Sequence, residues 1–173
     1  MSVFPKPSEL FGVYYGFLVT GGAKTLPAST KQSIFTVGGG RVIVTSLHSV
    51  VSTVIQAQAC TLSVGNTPTV GSAAAASIAA ASASLSGLAV GQYLAVPPFT
   101  NATTPAALVL SGTSGVMIGN GSTSAIGVPV SSGGICIVPA GTIDVTTSAT
   151  NTGAIVYSIT YVPYDVGATI TAL

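Results

Sequence analysis

Residues 135–162 decide the fold. They read ICIV (135–138), PAG (139–141), TIDVTT (142–147), SAT (148–150), NTG (151–153) and AIVYSITYV (154–162). Short β-branched runs separated by Pro, Gly and Asn are the pattern of successive strands and tight turns. Residues 60–64 (CTLSV) continue the pattern upstream, alternating apolar and polar side chains until Gly65-Asn66-Thr67-Pro68 is expected to end the strand. Residues 46–58 are β-branched and partly alternating. Residues 31–37 (KQSIFTV), Gly38-Gly39-Gly40 and residues 41–45 (RVIVT) are expected to form a hairpin.

Two stretches are less clear. In the Ala/Ser run 72–86, Ala favours helix, whereas the Ser residues and the neighbouring pattern favour an extended chain. Residues 97–129 are rich in Thr, Gly, Asn and Ser around short apolar cores at 107–110 and 116–118, which suggests strands with long loops. No repeat of solenoid length is present. About eight to ten short strands over residues 31–173 predict an all-β domain, a β-sandwich with the jelly roll as its leading form. Strand order is not readable from the pattern.

Composition narrows the function. Of 173 residues, 87 are Ala, Ser, Thr or Gly, and only 4% are charged, against a usual share of about 25%. From Val42 to Ile143 run 102 residues without Asp, Glu, Lys or Arg. Four cations and a net charge of +1 give no footprint for nucleic acid. A chain 48% hydrophobic is not composed for disorder. A nearly uncharged surface is poorly protected against association, so an assembled state is expected. Residues 72–90 lack the aromatic belts and basic flanks of a membrane span, and no membrane association is expected. A cleaved leader is disfavoured, because Glu9, Pro5 and Pro7 precede the apolar run 10–19, and Tyr14, Tyr15 and Gly16 interrupt it.

Residues 1–30 differ from the rest. They hold five of the eleven aromatics, and Pro5, Pro7, Pro27 and Gly21-Gly22 break them. They are expected to form an extended N-terminal arm ahead of the 31–173 domain, with Leu10, Phe11, Tyr14, Tyr15 and Phe17 as the partner-binding residues. The competing reading makes this stretch an edge strand of the domain.

Little in the chain could perform catalysis. His48 could in principle join a Ser and Asp144 or Asp165, but no G-x-S-x-G elbow occurs, and His48 lies in an expected strand where a structural role is usual. Cys60 and Cys136, both placed in expected strands, are too far apart in sequence for a C-x-x-C zinc site and read as free buried thiols. The Gly-rich pieces match no phosphate-binding loop and read as turns. Asp144 is expected on a polar strand face, with Arg41 as its candidate partner. Asn101-Ala102-Thr103 and Asn120-Gly121-Ser122 match the glycosylation pattern, which has meaning only on a secretory route. No cofactor, metal or enzymatic activity is expected.

Residues 26–64 (LPASTKQSIFTVGGGRVIVTSLHSVVSTVIQAQACTLSV) and the tail VPAGTIDVTTSATNTGAIVYSITYVPYDVGATI (138–170) resemble small all-β virion proteins of tailed bacteriophages, the head decoration or cement class. The resemblance implies a structural protein on the outer capsid surface, bound to the major capsid protein, commonly as a homotrimer. The low charge and Ala-rich middle depart from an acidic decoration protein. A tail or fibre component fits the same description. A receptor- or glycan-binding module is a further alternative, although Trp is absent.

Overall fold

In the computed structural model, which describes residues 16–69, 75–95, 109–110 and 136–173, two antiparallel sheets pack face to face as a β-sandwich. The strands are β1 (Phe17–Thr25), β2 (Lys31–Gly38), β3 (Val42–Thr53), β4 (Leu62–Pro68), β5 (Ala76–Ala79), β6 (Tyr93–Ala95), β7 (Val109–Leu110), β8 (Cys136–Val138), β9 (Gly141–Thr147), β10 (Ala154–Pro163) and β11 (Thr169–Ala172). The first sheet runs β1-β10-β3-β6-β7, and β8 pairs with the other end of the β3 edge that β6 occupies. The second runs β11-β2-β9-β4-β5. Among the described residues there is no helix, and therefore none that could cross a membrane. The ambiguous Ala/Ser run contributes β5, an edge strand.

Period-two alternation builds the core. From the first sheet come Val42, Val44, Leu47 and Val51 of β3 and Ile155, Tyr157, Ile159 and Tyr161 of β10; Phe35, Leu62, Val64, Ile143 and Val145 oppose them from the second. A register shift between Ser33 and Phe35 in the β2–β9 pair sends both Ile34 and Phe35 into the interior. Such a bulge breaks the alternation at one point and adds an apolar side chain to the core.

The expected hairpin at 31–45 is not formed. β2 and β3 belong to different sheets, β2 lying between β11 and β9 and β3 between β10 and the β6/β8 edge. Gly39 and Gly40, at φ +72° and +142°, carry the chain around a corner instead of back along its own ladder. Each flanking strand thereby turns its apolar face to the shared core. The following loop pins this corner. Asp165 accepts hydrogen bonds from the Arg41 backbone N–H and from Nε and Nη2 of its guanidinium at 2.8–2.9 Å. The Tyr164 ring lies 4.5 Å from the guanidinium carbon.

Those hydrogen bonds from Arg41, side chain first and backbone second, bring the Asp165 carboxyl down from 3.8 to about 2. A carboxyl lowered on folding contributes stability that is complete above its unfolded value and disappears as pH falls through its folded one. Acid unfolding is therefore expected to draw on this group between about pH 4 and about pH 2. Equilibrium urea titrations across that window check it: Asp165→Asn should flatten the pH dependence, and an unchanged slope would remove the corner pin from the account.

Two further expectations are corrected. Gly65-Asn66-Thr67-Pro68 does not end a strand, because β4 runs through to Pro68. The turn-forming side chains make cross-strand contacts instead: Asn66 Nδ2 donates to the Thr142 carbonyl at 3.2 Å, and Thr67 donates to Asp144. Cys60 precedes β4 and does not lie within a strand, its buried thiol reaching the Ala149 carbonyl at 3.4 Å. Cys136 is in β8 and half-buried, and burial pushes its thiol up to about 11. Both thiols are free.

Candidate partner-binding face

The two outer faces of the sandwich have different chemistry. On the second sheet, Ser33 and Thr36 of β2, Thr142, Asp144 and Thr146 of β9, and Ser63 and Thr67 of β4 are cross-strand neighbours. This face is hydroxyl-bearing around one carboxylate, which suits water.

Asp144 sits at its centre, only 2% exposed. Its partner is Lys31 at 3.6 Å, not Arg41, which is committed to Asp165. Register explains the correction, since β2 lies beside β9 in the same sheet while Arg41 begins the path to the other sheet. Ser33 Oγ donates to Asp144 at 2.7 Å, and Lys31 Nζ also donates to Thr67 Oγ1 at 2.8 Å. Burial acts to raise the Asp144 carboxyl, but hydrogen bonds from Thr67, Ser33 and Thr142, with the Lys31 charge, outweigh it and hold the group below its ordinary range. Its polar groups bond one another, so the cluster fixes the β2-β9-β4 register and leaves no group poised for chemistry.

The outer face of the first sheet is of the other kind. Register places Leu18, Thr20 and Ala23 of β1 beside Thr160, Ser158 and Val156 of β10. Val156, Ser158, Thr160 and Val162 in turn oppose Val50, His48, Ser46 and Ile43 of β3. Ile137 continues the row beside Ile43, and Tyr93 beside Val50. Leu18 is 62% and Ile137 44% exposed. Among the described residues this face carries no Asp, Glu, Lys or Arg. Thr20 and Ser158, whose hydroxyls lie 2.9 Å apart, satisfy each other. Partner surfaces are typically depleted of charge at their centre, and a run of outward aliphatic side chains over neighbouring strands is the mark of a covered sheet face.

His48 lies within this face, half-buried, and loss of solvent holds its imidazole below the ordinary 6.5. Its nearest cross-strand neighbours are Ser158 and Ala95. The serine–histidine–aspartate arrangement is not assembled, since Asp144 lies on the far face of the other sheet and Asp165 is bound to Arg41 at the corner. No group of three His, Cys, Asp or Glu that could hold a metal occurs among the described residues.

The expected N-terminal contact residues fall into two groups. Leu10, Phe11, Tyr14 and Tyr15 lie outside the described residues, as do both glycosylation-pattern sites. Phe17 begins β1, 41% exposed, its ring tilted against Tyr161 at 5.8 Å between centroids. Residues 17–25 of the segment expected as an arm are thus the edge strand β1 along β10, the form that the competing reading gives this stretch. The aliphatic face of the first sheet escaped the sequence reading. Its signal is present in Val156 and Val162 alternating with hydroxyls, and it becomes legible only when strand order brings them beside Val50, Ile43 and Leu18.

No family model, curated protein or solved structure matches the chain.

Proposed function

We propose that this chain is a structural virion protein that decorates and stabilises the outer surface of a phage capsid as a homotrimer, with the major capsid protein as its partner and no enzymatic role. One observation carries the reading: the outer face of the first sheet, which among the described residues bears no charged side chain and sets Leu18, Val50, Val156, Ile43 and Ile137 among Ser and Thr. Contacts of that kind depend little on salt, as a cementing role requires. The resemblance of residues 26–64 and 135–170 to cement proteins supports the same reading. Strand order supports the jelly-roll form, because β1 to β4 alternate between the sheets and β9 and β10 return between them, giving β1-β10-β3 in one sheet and β2-β9-β4 in the other.

The test is binding to purified capsids that lack the protein, scored by occupancy per particle. Residues 1–15, including Leu10, Phe11, Tyr14 and Tyr15, are the expected capsid contact, whereas residues 17–25 belong to the sandwich. Deleting residues 1–15 is therefore expected to leave a folded β-protein by circular dichroism that no longer occupies particles. Full-length protein should stay bound through a wash in about 1 M NaCl, at which charge–charge contacts are screened within ~3 Å. Failure of the full-length protein to bind, or its release by salt alone, would overturn the reading. Normal occupancy of the truncated protein would move the contact to the β-domain.

A further inference from the structure

We propose that the outer face of the first sheet, centred on Val50, Val156 and His48, is where two copies of this chain meet, each turning it toward the other. The inference rests on the self-association in the reading above and not on its capsid half or its trimer, since the same face on both copies is an isologous contact that closes as a pair.

Charge selects the occupant. A partner with Lys, Arg, Asp or Glu opposite this face would leave those groups desolvated without a counter-charge, which is strongly unfavourable. The occupant must itself be uncharged over the contact, and this same face of another copy meets that condition. Among the described residues the charges of Lys31 with Asp144 and of Arg41 with Asp165 are neutralised in pairs away from it. Lys24, at a β1 position paired with the inward-facing Ile155, is off the outward row. The opposite outer face, covered in Thr and Ser around the Lys31–Asp144 pair, has no aliphatic row to offer.

Size sets the strength. Seven residues of β10 at ~3.3 Å and four strand spacings of ~4.8 Å give a flat projection of about 440 Å² per copy. Two such faces together cover about 880 Å², short of the ~1,200 Å² lower bound of a standard interface, so association should be weak and depend on concentration.

His48 makes the contact sensitive to acid. The groups facing it are Ser158 and, beyond it, Thr20 toward β1, Ala95 on β6, and Ser46 and Val50 along its own strand. None of these can balance an imidazolium. Tyr93 is the other titratable side chain on the face among the described residues. Neutral at pH 7.5, the imidazole can be enclosed; protonated, it places a charge without a counter-charge between two uncharged surfaces. Association should therefore weaken as pH falls.

Sedimentation velocity over a concentration series tests the proposal on the full-length protein, with Leu18→Glu, Val156→Lys and His48→Gln as variants and Thr146→Lys on the opposite face as control. Circular dichroism and thermal melting verify folding, and Leu18, being mostly exposed, keeps the test valid if Val156→Lys does not fold. The expected result is an oligomer whose association Leu18→Glu weakens by at least about tenfold while Thr146→Lys leaves it intact. Wild-type association should also fall as pH is lowered below about 6.5, since burial holds the imidazole below that value, and His48→Gln should remove that fall. A monomeric wild-type chain, or folded Leu18→Glu and Val156→Lys variants that assemble normally, would overturn the proposal. So would pH-indifferent assembly of the wild type. A dimer lost by the same variants upholds the face and overturns the trimer; capsid occupancy, scored separately, reports on the particle half alone.

Discussion

Phe35→Ala is expected to destabilise the protein by about 3–5 kcal/mol, a large part of the 5–15 kcal/mol that holds a typical domain together. The side chain is fully enclosed, at 0% exposure, and lies just past the register shift of the β2–β9 pair. Ile34 and Phe35 both enter the core there, so the hole left by the ring lies beside a locally irregular backbone whose neighbours, Ile143 and Val37, are fixed by ladders on both sides. Small side chains dominate this chain, and few groups are available to collapse into a cavity of that size. The melting temperature should fall by about 10 °C or more, and Phe35→Leu should recover over half of the loss. A drop under about 1 kcal/mol in a urea titration would show that the second sheet repacks freely.

The second large effect is expected at Gly141, where β9 begins opposite Pro68. Its φ is +151°, and a Cβ placed there would stand 2.2 Å from the Thr67 carbonyl oxygen and 2.8 Å from the Pro68 Cα. Both obstacles are backbone, within the strand whose Thr67 also holds Asp144. Relief would require β4 to move away from β9 and so would loosen the Lys31–Asp144–Thr67 cluster as well. Gly141→Ala is expected to cost at least ~3 kcal/mol. Urea unfolding gives the value, and a midpoint within experimental error of the wild type would mean that the two strands separate at that end without penalty.

Much of the fold is legible in the sequence, and the parts that are not share a cause. Residues 135–162 announce β8, β9 and β10 because each run is closed by Pro, Gly or Asn, and local chemistry suffices to end a strand. The 31–45 segment misleads because Gly38-Gly39-Gly40 serves equally well as a hairpin turn or as a corner between sheets. What decides is Asp165, more than 120 residues away, which accepts from the Arg41 backbone and side chain. Gly65 to Pro68 look like a turn because Asn and Thr bond locally, yet here their hydrogen bonds go to β9. The assignment of Asp144 to Arg41 fails for the same reason, since charge pairing follows strand order, and strand order leaves no mark on a single strand. The candidate face is illegible on the same ground: Leu18, Val50 and Val156 are unremarkable apart and become a surface only side by side.

The alternation of β1 to β4 between two sheets also sets the order of events during synthesis. β1 is hydrogen-bonded to β10, β2 to β9 and β11, and β3 along its whole length to β10. Thr20 waits for Ser158, 138 residues later, before its hydroxyl has its partner. A ribosome therefore extrudes β1 and β2 with nothing to pair with until the last quarter of the chain emerges, and β3 with only the short β6 before then, and non-local pairing of this kind is slow and exposed to aggregation. The low content of large aliphatic and aromatic groups over the intervening residues, with hydroxyls in their place, makes that waiting chain less adhesive than its β-branched content alone would suggest.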